Sequence, residues 1–404
     1  MNLDLKTATW INPERIRRVS IIFLAIGILA TITLIATSSG NLDVFGRPLG
    51  TDFSNVYTAG QMVWDGRDAV AYVPVEQEKV QQALFNDPDV PFYAWHYPPF
   101  FLILAAGLAL LPYTVAWLTW MAATLPLYAV AMRRILDDKT ALIASLGFPA
   151  VAVNFLHGQN GFLTAALIGG AILCLRSKPL MAGVLIAMLA YKPQFGVLIP
   201  IALLAGGYYR TFAVAAVTLL AMCALATLAF GTDIWLGFYE SRHFSQNFIL
   251  EAGSTGWHKI QSVFSATRMW GGSIGQAYFV QSCLGLFLVV STAWIWRSRV
   301  SYDLKAASLI VGSLLLTPYM LDYDMVALAP ALLFVTRYGL RAGFLPYERV
   351  LLAIVWMAPI LTRPAIEYLA LPIGLAAMLG LYGLVLYKAR GELRAPQSIA
   401  PMAA

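Results

Sequence analysis

One carboxylate sits among aromatic and apolar residues in Thr51-Asp52-Phe53-Ser54-Asn55-Val56-Tyr57. Partial desolvation raises a carboxylate's proton affinity, which is what a general base needs. Asp is also a favoured N-cap, so spacing alone leaves Asp52 open between proton acceptor and cap of a helix beginning at Phe53. Tyr57, in the same stretch, is a candidate substrate contact. The complementary cation is Lys192, in Tyr191-Lys192-Pro193-Gln194. A lysine inside an apolar hairpin is costly when unpaired, so it faces a cavity or an anion, and Pro193 breaks the helix where the ammonium appears. Snorkelling to the head groups is the plainer account. A phosphate in a recess between two short half-spans suits the position better, with Gln194 beside it.

Three further clusters carry polar groups. His96-Tyr97-Pro98-Pro99 opens a helix, its prolines fixing the entry. His157-Gly158-Gln159-Asn160-Gly161 makes a tight turn whose Gln159 and Asn160 amides bind sugar hydroxyls or cap helix ends. Thr317-Pro318-Tyr319-Met320-Leu321-Asp322-Tyr323-Asp324 makes another, where Tyr319, Asp322 and Asp324 hold an acceptor, a cation, or only Lys192 or Arg268. A long segment, 231–275, mixes aromatics with donors, among them Trp257, His258 and Arg268. That mixture suits a carbohydrate, and an interfacial aromatic belt gives the same composition.

These residues need a scaffold, and composition names its class. Of 404 residues 59% are hydrophobic and only 12% charged, with a mean hydropathy of +0.70. That is too apolar for a soluble enzyme and calls for an all-α polytopic membrane protein. The net charge of +6 is therefore read as topology before any nucleic acid is invoked. Cys174, Cys223 and Cys283 lie in apolar runs without metal-ligand spacing, so neither disulfide nor zinc is expected. No Walker loop or dinucleotide fingerprint is present.

Apolar runs predict twelve spans, near 19–39, 114–132, 140–156, 161–175, 179–191, 194–208, 211–230, 276–296, 304–318, 324–336, 347–362 and 366–387. The first is an uncleaved span, being longer than a signal-peptide core. Residues 98–111 are read as a re-entrant or interfacial helix, because Arg133 and Arg134 then fall inside, among 19 of the 27 basic residues on that side. Residues 1–390 form one domain, with outer loops at 40–97 and 231–275 and a surface helix from Pro74 to Phe85. Residues 391–404 read as a disordered inner tail. Both termini are then cytoplasmic, and all four histidines lie outside, where the chemistry is expected.

The stretches TDFSNVYTAGQMVWDGRDAVAY (51–72), HYPPF (96–100), HGQNG (157–161), YKPQ (191–194) and TPYMLDYD (317–324), in this order, resemble glycosyltransferase family 87. These are polyprenol-phosphate-mannose-dependent mannosyltransferases of the type C membrane superfamily. The resemblance covers residues 50–340. It implies a plasma-membrane enzyme with an extracytoplasmic site, a polyprenyl-phosphate sugar donor, a lipid or glycan acceptor and no cofactor. It also implies Asp52 as catalytic base and Lys192 as holder of the carrier phosphate, with His258 a weaker match. Transfer with inversion would place growing charge on the phosphate, against Lys192 and Arg268 or His258. No metal is then needed, although Asp322 and Asp324 keep a divalent-cation version open. The alternatives are a multispan secondary transporter and a non-catalytic assembly partner.

Overall fold

The computed structural model describes residues 4–394, and all its regular elements there are helices. α1 (Pro13–Ala36) starts on Asn12, whose side chain accepts from the Arg15 N–H, and on Pro13, whose missing donor is no loss at a first position. The first loop then builds α2 (Phe53–Trp64), α3 (Pro74–Phe85) and α4 (Phe100–Leu108). α3 has the bounds its sequence predicts. α4 has nine residues, far too few to cross a bilayer, and lies along α2.

α5 (Tyr113–Ile135) ends on Arg133 and Arg134. α6 (Lys139–Leu146) and α7 (Pro149–Leu156) meet at a 42° bend. α8 (Gly161–Cys174), α9 (Pro179–Met188), α10 (Leu198–Ala205) and α11 (Tyr209–Phe230) follow. α12 (Asp233–Phe244) runs into a π-helical segment, Ser245–Glu251, and α13 (Val263–Met269) leads to α14 (Ile274–Arg297). The chain closes with α15 (Tyr302–Leu316), a 3-10 turn (Asp322–Ala327), α16 (Leu328–Ala342), α17 (Glu348–Leu369) and α18 (Ile373–Arg394). α15, the turn and the first half of α16 are almost wholly buried and form the centre of the bundle. α1 and α11 are apolar yet exposed along most of their length, as lipid-facing helices are.

Twelve spans are not reached. Seven helices are long and apolar enough to cross a membrane, and the bent α6–α7 pair makes eight. α8, α9, α10 and α15 fill four of the expected spans but have 14, 10, 8 and 15 residues. A helix rises about 1.5 Å per residue against a core of about 30 Å, so none of them crosses alone. Pro179, Pro193 and the Gly206-Gly207 pair cut this region into pieces. Of the segment expected as a tail, residues 391–394 continue α18, and 395–404 lie outside the described residues.

Gly60 sets the closeness of α2 and α4. A Cβ there would sit 2.2 Å from the carbonyl oxygen of Ala105, in rigid backbone. Gly60→Val is expected to cost more than the about 1–3 kcal/mol typical of overpacking. A melting curve in detergent within a degree of the parent would count against this fit.

Candidate active site

The ends of α1, α7 and α17 and the turn before α8 surround a cavity of about 1430 Å³, closed by the first loop and by α12 with the segment that follows it. The opposite end of the bundle is basic. There Arg337 and Arg341 hold Asp303 at the start of α15, and Lys388 holds Glu348 at the start of α17.

Asp52 lines the cavity and its side chain makes no capping hydrogen bond. The first donors of α2 are satisfied by backbone instead: the N–H groups of Phe53, Ser54 and Asn55 reach the carbonyls of Gly50, Thr51 and Asp52. The His157 turn nests directly on this corner. Gly158 has φ +60, and a Cβ on it would lie 2.6 Å from the Cβ of Phe53 and 2.9 Å from the Gly50 oxygen. Glycine is required there by both conformation and space.

Most charged groups of the cavity are already paired. Lys192 Nζ lies 2.5 Å from Asp324 Oδ1, with the residues 4% and 2% exposed. Asp322 is held by Arg363 Nε, and another guanidinium N–H of Arg363 faces His157 Nε2 at 2.9 Å. Arg47 faces Asp43 at 3.5 Å, and His258 faces Glu367 at 3.5 Å. Among the described residues, the lining charges left without an ion-pair partner are Asp52, Lys259 and Arg242, the last lying over the Tyr239 ring. Of the options open for Asp322 and Asp324, the structure takes cations of the chain, Arg363 and Lys192.

The cavity thus gathers Asp52, His96, Tyr97, His157, Gln159, Lys192, Gln194, His258, Tyr319 and Asp324 from the sequence-predicted set. Five predicted contacts lie elsewhere. Tyr57 donates to the Leu111 carbonyl and packs between Phe53 and Tyr113, because its face of α2 turns toward the core. Asn160 accepts from Trp120 Nε1 through its amide oxygen. Arg268 donates to the carbonyls of Gly272 and Glu251 and covers the Trp257 ring, so both serve the loop's own structure. Asp322 stands behind Arg363. Arg363, Arg242 and Glu367 are not singled out by the sequence, and Lys259 only as one of the donors of segment 231–275. For Arg363 a signal existed: a lone arginine next to Pro364 at the end of an apolar run.

Residues 95–318, more than half of the chain, match the profile of glycosyltransferase family 87. The chain belongs to that family. No curated protein and no solved structure matches it. As a family 87 member with this set of apolar helices it is a membrane glycosyltransferase, acting with a sugar donor and an acceptor. The transporter and assembly-partner alternatives give way to that assignment. The matched segment carries His96, His157, Lys192, Arg242, His258 and Lys259, whereas Asp52, Asp324 and Arg363 come to the cavity from outside it.

His96 joins Ser245 Oγ through Nδ1 at 2.8 Å, and desolvation pushes its imidazolium down to about 4. Burial also lowers His157 and His258. An unfolded histidine takes up its proton near pH 6.5, so between about 6.5 and 4 the unfolded glycosyltransferase binds a proton that His96 in the folded one refuses. Stability contributed at this ring is present above that window and lost as pH falls through it. His96→Gln is expected to flatten part of the drop in melting temperature between pH 7 and pH 5, the other two rings supplying the rest. An identical drop in parent and variant would contradict this.

Proposed function

We propose that the chain transfers a sugar, mannose by the family resemblance, from a polyprenyl phosphate to an acceptor hydroxyl, with inversion at the anomeric carbon. The observation that carries this reading is the charge pairing of the cavity, which leaves one carboxylate, Asp52, and two cations, Lys259 and Arg242, uncommitted. Asp52 takes the acceptor proton while the acceptor oxygen bonds to the anomeric carbon and the bond from that carbon to the phosphate oxygen breaks. The leaving polyprenyl phosphate keeps the electron pair, and Lys259 and Arg242 stabilise the charge that grows on it. This moves the phosphate role from Lys192, whose charge is met by Asp324. The basic helix ends opposite the cavity support an extracytoplasmic site under the positive-inside rule.

The test uses purified protein in detergent with labelled polyprenyl-phosphate mannose and no gradient. Expected is an acceptor-dependent product of opposite anomeric configuration. Failure to consume the donor under any acceptor condition would sink the reading. Lys259→Met is further expected to raise the donor KM about 10- to 100-fold, the worth of a hydrogen bond to a charged group. An unchanged donor KM would return the phosphate to another cation.

A further inference from the structure

His157 lines the cavity with a ring whose one proton is placed by its neighbour. Its Nε2 lies 2.9 Å from a terminal nitrogen of Arg363. A guanidinium has only donors and keeps its charge at any working pH, so Nε2 accepts and the ring proton sits on Nδ1. Arg363 is fixed in turn, because its Nε is spent on Asp322, a buried carboxylate that also accepts from the Tyr323 N–H. Nδ1 is withdrawn from solvent and has no acceptor among the described residues.

The ring therefore resists a second proton. On Nε2 that proton would break the bond from Arg363 and set one N–H against another, and at Nδ1 no carboxylate waits to share the charge. The other ionisable groups near the ring are Asp52, Lys259 and Tyr323, whose ring centre stands 6.0 Å away. Burial, with Arg363 and Lys259, outweighs Asp52 and Asp322 and holds the imidazolium below the ordinary histidine range.

A charge on this ring would fall on the base. The His157 turn nests on the corner that carries Asp52, through Gly158 against Phe53 and Gly50. An opposite charge close by lowers a carboxylate's proton affinity by about 1–3 pKa units, so an imidazolium would claim Asp52 and weaken it as a proton acceptor. Asp322 and Arg363 cancel one another and add no such charge.

We propose that Arg363, held by Asp322, is a positioning residue that keeps His157 neutral, in its Nδ1–H form, and so leaves Asp52 free to take the acceptor proton. This rests on the transfer reading above and gives a role there to groups that act through Asp52 and not on the reacting atoms.

The ring is read directly by 15N-histidine NMR of the protein in detergent. The chain has four histidines, and the His157 signals are those lost in His157→Gln. An ordinary histidine changes charge near pH 6.5, whereas His157 in the parent is expected to stay neutral and Nδ1-protonated at both about pH 8 and about pH 6. Arg363→Gln, whose amide accepts as well as donates, is expected to turn those signals to imidazolium at the lower pH. The consequence is read with labelled polyprenyl-phosphate mannose and an acceptor. From about pH 8 to about pH 6, kcat/KM is expected to fall about tenfold in Arg363→Gln and less than about twofold in the parent. Adding His157→Gln to Arg363→Gln is expected to remove the fall. His157→Gln alone is expected to keep the shape of the parent's profile, and it carries the test if Arg363→Gln does not fold. A His157 ring that charges in the parent at the lower pH overturns the inference. So does a changed profile shape in His157→Gln, or a flat profile in Arg363→Gln, with the transferase left standing. Donor left unconsumed by the parent overturns the transfer reading and with it the role assigned to the ring.

Discussion

Asp52→Asn is expected to lower turnover by about 10²- to 10⁴-fold, the usual cost of removing a well-placed general base. The structure makes this substitution clean. Asp52 precedes α2 but its carboxylate caps nothing and joins no ion pair, so Asn keeps the shape and removes only basicity. Extraction yield and melting temperature are expected to match the parent. A rate within a few-fold of the parent, in protein of equal yield, would move the base elsewhere. Glu367 would then be next, since Asp324 and Asp322 are committed to Lys192 and Arg363 whereas Glu367 faces only His258.

How far the sequence foretold this arrangement depends on the reach of each interaction. α3 was legible with its bounds because Pro74 starts it and local composition supports it. The all-helical membrane class was legible from hydropathy alone. Span number was not, because apolarity does not report where a helix breaks: Leu189–Tyr191 and Pro193–Phe195 are single 3-10 turns inside a run that reads as two spans. The polar clusters at Asp52, His96, His157 and Lys192 were legible as isolated charges and amides in apolar surroundings, and the fold brings them to one cavity. Their pairing was not. Arg363 meets Asp322 and His157 from a helix distant in sequence, and nothing local to any of the three announces the other two. Arg268 erred the other way. It stands in a loop rich in aromatics, where its donors are consumed by the carbonyls of that loop.

The Lys192 and Asp324 pair carries the largest expected effect on stability. Both groups are withdrawn from water, and the ammonium also lies 5.3 Å from the centre of the Tyr323 ring. Removing one member of a buried pair strands the other as an uncompensated charge, at about 3–5 kcal/mol, whereas replacing both by apolar groups of similar volume is often neutral. Lys192→Met and Asp324→Leu are each expected to lower the melting temperature in detergent sharply, and the double variant to recover most of the loss. A cation that served the donor phosphate alone behaves differently: Lys192→Met would then raise the donor KM at undiminished stability, and Asp324→Leu would not rescue it. Single variants as stable as the parent would therefore return the carrier phosphate to Lys192. Recovery in the double variant would fix the pair as the wall of the cavity against which the turn Asp322–Ala327 is held, leaving the chemistry to the charges that have no partner.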